Sequence, residues 1–300
     1  MTVAAGYLCD GGIVLCADTQ ETISGYVKTS TEKITIFSGS EYTVALAGAG
    51  NNAVQIEMVI QEIRDELREQ EPPSFIGFKA LLHAVLDRLL PLPHYPKDVA
   101  DIELLIAVRA HQEINLLCVH DNVFAEIRQF ECIGSGVIAG RSLFQRYYRK
   151  SHNLIHAYII AAYALHHAKR WVDGCGGKSD IFLIPKDSKT LTRLDSYEVE
   201  KLEVYFDDLD EALRPLLIAC PFDPTDDASF RQIMDWVTKH VWAARSRFQD
   251  FEQVFRRIAR EMGRDEDEAW AEANSGIDLV IKPSVPEVLS QQDSSQSTKP

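Results

Sequence analysis

No two cysteines in this sequence are spaced as C-x-x-C. Cys9, Cys16, Cys118, Cys132, Cys175 and Cys220 are scattered, and five of them sit in apolar runs or beside glycines. Such usage reads as reduced, mostly buried thiols and not as a disulfide framework. Long apolar runs are also missing. The longest, around Leu154 to Leu165, is interrupted by His156 and is too short to cross a bilayer, so no membrane contact is expected. Positive charge is scarce: 31 Lys and Arg stand against 45 Asp and Glu, a net charge of −14. With no local basic patch to offset it, that balance repels phosphate backbones and anionic lipid, and nucleic acid is not an expected partner. The opening Met-Thr-Val-Ala-Ala-Gly lacks a basic n-region, which makes the cytoplasm the expected compartment. What is present, 46 % hydrophobic and 25 % charged residues, is ordinary globular composition and excludes a mainly disordered or fibrous chain.

Thr2 to Cys9 and Ile13 to Ala17 are apolar, β-prone runs joined by Asp10-Gly11-Gly12, a hairpin with strong turn chemistry. Strands are expected next at Lys33 to Phe37 and Tyr42 to Ala47. The period then changes: Val54, Ile56, Val59, Ile60, Ile63 and Leu67 recur at helical spacing, and a second helix is expected over about Phe75 to Leu90. Strands return at Ile102 to Ala110 and Ile114 to Val119, with shorter ones near Val123 to Ile127 and at Cys132-Ile133. Two more helices, about Ala139 to Arg149 and Leu154 to Trp171, precede a strand at Asp180 to Pro185. Strands, two helices, strands, two helices, strands argues an antiparallel α+β layered fold and against βαβ units. Past about Tyr197 the chain turns acidic and helical. Ser229 through Met262 reads as one amphipathic helix with an aromatic stripe, Ile277 to Ile281 as a further strand candidate, and the Ser/Gln-rich tail as too poor in apolar residues to order itself.

Thr2, bared by removal of Met1, would carry a hydroxyl and a free α-amine of pKa about 7.7 to 8.0, a nucleophile and a base on one residue. Pairing about the Asp10-Gly11-Gly12 turn folds Asp18 back beside Thr2, and Lys33 opens the next strand. A cation near the hydroxyl favours the alkoxide, and a carboxylate keeps that cation charged and oriented. Gly48 and Gly50, read as a strand-to-helix junction, could aim N–H groups at an oxyanion. His166-His167 has no partner at ligand spacing and reads as structural, and Asp207-Asp208-Asp210-Glu211 reads as a solvated helix start without the layout of a calcium loop. No metal and no cofactor are expected.

The run Thr2-Val3-Ala4-Ala5-Gly6, then Asp10 to Thr19 (Asp-Gly-Gly-Ile-Val-Leu-Cys-Ala-Asp-Thr), then Glu32-Lys33-Ile34, then Ala45-Leu46-Ala47-Gly48-Ala49-Gly50 resembles the start of a proteasome β-type subunit in order and spacing together. The likeness continues at Ile133-Gly134-Ser135-Gly136 and at Asp173-Gly174-Cys175-Gly176-Gly177, and covers about residues 2 to 195. It implies a four-layer αββα sandwich of two antiparallel sheets, the N-terminal-nucleophile hydrolase fold, here with additional C-terminal helices. The division expected is 2–196 for that domain, 197–283 for a helical extension and 284–300 for a disordered tail.

The resemblance also implies a threonine peptidase. Thr2 would attack the scissile carbonyl, Lys33 would ease its deprotonation, Asp18 would hold Lys33, Gly48 N–H would bind the oxyanion, and Ser135 would contact the amine. Leu46, Glu21 and Thr22 would line the substrate pocket. Such an enzyme takes peptides or unfolded polypeptide, works as a homo-oligomeric ring, and admits an ATPase as regulator. The family commonly completes its site with an aspartate and, three residues later, a serine before paired glycines. Here Cys175 stands in the serine's place and Val172 in the aspartate's, with Asp173 one residue off. Two other readings stay open: a catalytically silent scaffold of the same fold, and an amidase acting on a small amide.

Overall fold

A computed structural model describes residues 2–23, 27–70, 74–90, 102–111, 113–188, 190–219, 227–247 and 251–275. The hairpin read from the sequence is formed by β1 (Val3–Cys9) and β2 (Gly12–Asp18), in register from Ala4 opposite Ala17 to Cys9 opposite Gly12. Gly12 sits at φ +149°, where a Cβ would fall 2.3 Å from the Ile184 carbonyl oxygen, so the turn admits only glycine there. A short hairpin not foreseen from the sequence follows, β3 (Gln20–Ile23) against β4 (Val27–Ser30). Then come β5 (Ile34–Ser38) and β6 (Tyr42–Gly50), helices α1 (Ala53–Glu69) and α2 (Phe75–Leu89), and strands β7 (Ile102–Ala110), β8 (Glu113–His120), β9 (Val123–Ile127) and β10 (Phe130–Gly134). Helices α3 (Val137–Tyr147) and α4 (Leu154–Trp171) lead to β11 (Ser179–Pro185) and β12 (Thr192–Arg193). Helices α5 (Ser196–Ala219), α6 (Asp227–Arg247), α7 (Phe251–Glu261) and α8 (Glu266–Ser275) close the described chain.

Among the described residues all strand pairs are antiparallel. One five-stranded sheet has the order β10-β1-β2-β11-β12 and the other is the meander β5-β6-β7-β8-β9. Strand alternation divides the core. Ile13, Leu15 and Ala17 of β2 meet Ala45, Ala47, Leu105 and Leu116 of the second sheet in one buried cluster. The intervening residues Val14 and Cys16 face the other way, into a cluster with Tyr158, Ala161 and Leu165 of α4. In the second sheet Val44 and Leu46 face outward, against Val59, Ile63 and Leu67 of α1 and Phe78 and Leu82 of α2. Each helix of this pair starts at a capping side chain: Asn52 accepts from Gln55 N at 3.2 Å and Ser74 from Gly77 N at 3.2 Å.

The C-terminal helices join the α4 cluster, through Val199, Leu202 and Phe206 of α5, Phe255 and Ile258 of α7, and Ala269 of α8. Two expectations need correcting here. The helix expected over Ser229 to Met262 is two, α6 and α7, with 248–250 outside the described residues. Asp207 to Glu211 lies in the middle of α5, not at a helix start. There His167 Nε2 meets Asp210 at 3.2 Å, Tyr163 Oη donates to Asp210 at 2.9 Å, and Arg170 pairs with Asp207. Gly48 and Gly50 lie in the last three residues of β6, just ahead of α1, at the strand-to-helix junction read from the sequence. The strand candidate 277–281, the tail 284–300 and Cys220 fall outside the described residues. Among the described residues no helix is long and apolar enough to cross a membrane.

Candidate active site

The end of β2 is the anchor. Asp18 is completely buried, and its carboxylate binds three separate segments. Oδ1 accepts from Lys33 Nζ at 2.7 Å and from Val3 N at 3.0 Å, while Oδ2 accepts from Gly176 N at 2.9 Å. Taking a carboxylate out of water costs several kcal/mol unless donors replace the water, and three donors, one of them charged, do so here. Lys33, with only 8 % of its side chain exposed, also donates to the Gln20 carbonyl oxygen, so its ammonium is held between two oxygens from one hairpin region.

Thr2, half-buried, directly precedes Val3, whose N–H Asp18 holds. Its other side is held by the turn after β10. Thr2 N donates to Ser135 Oγ at 3.1 Å, Ser135 Oγ donates to the Thr2 carbonyl at 3.1 Å, and Gly136 N reaches the same carbonyl at 3.3 Å. Gly134, at φ +84°, has no room for a side chain: a Cβ would lie 2.3 Å from the Thr2 carbonyl oxygen. Gly134 N is itself bound by Glu103 Oε2 of β7 at 2.6 Å, a contact from the opposite sheet that sequence reading did not single out. No motif marks Glu103, because the pairing joins strands 31 residues apart on different sheets.

Sulfur completes the Ser135 neighbourhood. Cys175 Sγ is 3.7 Å from Ser135 Oγ, and burial raises its thiol above the ordinary value, with the Ser135 contact opposing. The loop that carries it is stitched to the β2–β3 junction by Gln20 N to the Gly176 carbonyl at 3.0 Å and by Lys178 N to Thr19 Oγ1 at 2.8 Å.

The remaining expected residues divide. Gly48 lies one residue beyond the Ile34–Ala47 pair, where β6 runs past the start of β5 and stays paired with Leu104 of β7, and a Cβ there would be 2.3 Å from Ile56 Cγ2 of α1. Glu21 and Thr22 lie on β3, half-buried; Glu21 accepts from Thr31 Oγ1 at 2.9 Å. Gln20 Nε2 and Thr22 Oγ1 are buried without a hydrogen-bond partner among the described residues. Leu46 is fully buried against α1 and α2, so it lines no open pocket; the alternation that turns Ala45 and Ala47 to the other sheet turns Leu46 away from it. Asp173 is exposed in the turn after α4. Among the described residues, no group of three or more His, Cys, Asp or Glu is placed to hold a metal ion.

No family model matches this sequence, and no curated protein matches it either. Solved structures do. The Gly-1 mutant of Anbu from Hyphomicrobium sp. strain MC1 superposes with a TM-score of 0.62 at 16 % identity over 75 % of this chain and 100 % of that one. Anbu from Yersinia bercovieri, described as an ancestral beta-subunit, gives 0.61 at 14 % over 72 % and 96 %, and the helical assembly of the Anbu complex from Pseudomonas aeruginosa gives 0.62 at 14 % over 75 % and 99 %. These figures correct the resemblance drawn from motifs. The structural counterparts are Anbu chains, matched over nearly their whole length, and the matched share of this chain exceeds the stretch 2–195 that the proteasome β-type likeness covered. At this identity the comparison fixes the fold: an α+β architecture of antiparallel sheets and helices shared with Anbu.

Proposed function

We propose that this chain is a threonine-type peptidase whose nucleophile is Thr2 after the Met1–Thr2 bond is cleaved. The observation that carries the reading is the buried Asp18–Lys33 pair, at 2.7 Å, fastened to the backbone of Val3 next to Thr2. A lysine used only for stability does not need burial beside a strand end that a carboxylate also grips. The two sheets with helices on their outer faces fit the αββα layering of N-terminal-nucleophile hydrolases.

In this reading Thr2 Oγ1 attacks the peptide carbonyl and its proton passes to the Thr2 α-amine. The C–N bond breaks, the amine returns the proton to the leaving nitrogen, and water later cleaves the acyl ester by the same route. Lys33 lowers the cost of the alkoxide, Ser135 Oγ holds the amine nitrogen, and Gly48 N–H faces the developing oxyanion. Glu21 and Thr22, half-buried on β3, line the path an extended peptide would take. Substrates are peptides or unfolded polypeptide.

Assembly belongs to the same reading. Trp242, Leu217 and Ile138 are 60 %, 77 % and 79 % exposed, on three different helices. Copies joined by different patches make a heterologous contact, which closes into a ring or continues as a helix according to the rotation. The Anbu complex described as a helical assembly keeps both geometries in play. Electron microscopy of the purified protein tests this; particles of a single subunit at micromolar concentration contradict it.

A second reading, a silent scaffold, draws on the exposed position of Asp173 and on Cys175 in place of a hydroxyl. Turnover of a fluorogenic peptide separates the two: the peptidase reading expects cleavage that Thr2→Ala abolishes, and the scaffold expects none in either protein.

A further inference from the structure

The turn Gly134-Ser135-Gly136 that seats Ser135 against Thr2 carries no carboxylate of its own, and Asp173, on the turn after α4, is exposed. We infer that Glu103 supplies one from the opposite sheet and is a positioning residue for the site. The inference rests on the threonine-peptidase reading for its catalytic consequence, while its structural half stands on geometry alone.

Glu103 lies near the start of β7, opposite Ala49 on one side and His120 on the other. Its two oxygens have separate partners: Oε2 accepts from Gly134 N at 2.6 Å, and Oε1 faces His120 Nδ1 at 3.3 Å. The side chain is 21 % exposed, sheltered enough for a charge-assisted bond to a backbone N–H to exceed a neutral one. Gly134 takes a left-handed φ of +84° and abuts the Thr2 carbonyl, so the bond fixes a backbone conformation which, once fixed, places Ser135 Oγ 3.1 Å from Thr2 N. Asp18 thus clamps Thr2 from the β2 side and Glu103, through Gly134 and Ser135, from the β10 side. Glu103 touches no reacting atom; it sets where the amine-holding hydroxyl stands.

The test compares Glu103→Ala, Glu103→Gln and His120→Ala in the full chain freed of Met1, by hydrogen exchange of the peptide spanning 130–137 and by peptidase kinetics. Loss of one hydrogen bond to a charged group corresponds to about 10- to 100-fold. Glu103→Ala should therefore speed exchange at Gly134 by that factor and lower kcat comparably with KM changed less than about twofold. Glu103→Gln keeps an acceptor oxygen and should recover most of both, while His120→Ala should leave Gly134 exchange near wild type. If Glu103→Ala fails to fold, Glu103→Asp, one methylene short, should show the same faster exchange. Wild-type exchange at Gly134 in the folded Ala or Asp variant overturns the inference, as does an unchanged kcat in an active enzyme. A wild-type protein that cleaves nothing overturns the peptidase reading instead, and Gly134 exchange still decides the clamp.

Discussion

Asp18 Oδ1 is shared between Lys33 Nζ, 2.7 Å away, and Val3 N, 3.0 Å away, so one buried oxygen ties the lysine to the backbone beside Thr2. Removing the carboxylate leaves a nearly buried ammonium without its counter-charge. Asp18→Ala should cost about 3 to 5 kcal/mol of stability, because an uncompensated charge in a protein interior is penalised on that scale. Urea unfolding checks this, and a loss below about 1 kcal/mol would show that water or another oxygen replaces the pair.

Lys33→Ala tests the chemical role of the same pair. If Lys33 stabilises the alkoxide, the variant should lose at least about 100-fold in kcat, the scale of removing one preorganised electrostatic donor. Retention of more than a tenth of wild-type turnover in a folded Lys33→Ala protein would remove Lys33 from the mechanism.

Much of this arrangement was legible in the sequence, and the reason is chain locality. Turn chemistry at Asp10-Gly11-Gly12 suffices to fold Asp18 back toward Thr2, and Lys33, just ahead of β5, lies only 15 residues from Asp18 in the chain. The strand-then-helix order also survived, since apolar periodicity records it directly. Contacts between sheets left no such trace. Glu103 reads as an ordinary polar residue at a strand start until β10 is laid over β7. Leu46 could not be placed in pocket or core without knowing which face of β6 looks at α1. The acidic run in α5 was misjudged for a related reason: whether a carboxylate is solvated or paired depends on which helix packs beside it, as α4 does against Asp207 and Asp210.

The α4–α5 contact should respond to pH. Burial lowers the pKa of His166, which is only 7 % exposed, against the opposing pull of Glu203, and Asp207 at 3.3 Å does not reverse the direction. His167, Lys169 and Asp210 also face it. Its folded pKa thus lies below the unfolded value of about 6.5, so the unfolded chain binds the extra proton first. Stability is complete above about pH 6.5 and declines as the pH falls from there toward the folded pKa. His152, hydrogen-bonded to Tyr7 Oη at 2.8 Å and also lowered by burial, adds in the same sense. His166→Gln should flatten the decline between about pH 6.5 and 5, measured by chemical denaturation; an unchanged slope would assign the effect elsewhere.

Thiol chemistry offers a separate check on the core. Burial pushes Cys9 to about 11 and Cys16 and Cys118 to about 12, so at neutral pH none is appreciably thiolate. In a Cys220→Ser protein, alkylation at about pH 8 should modify none of the five buried cysteines until denaturant is added. Rapid native labelling of any of them would show that the sheet-helix cluster opens.

The most direct measurement of the central claim is intact mass after treatment with a threonine-reactive electrophile, on protein shown by mass to lack Met1. A single adduct that maps to Thr2, absent from Thr2→Ala and from protein retaining Met1, is the predicted result. No adduct on the Met1-free wild type, or an equal adduct on Thr2→Ala, would contradict the assignment of Thr2 as nucleophile.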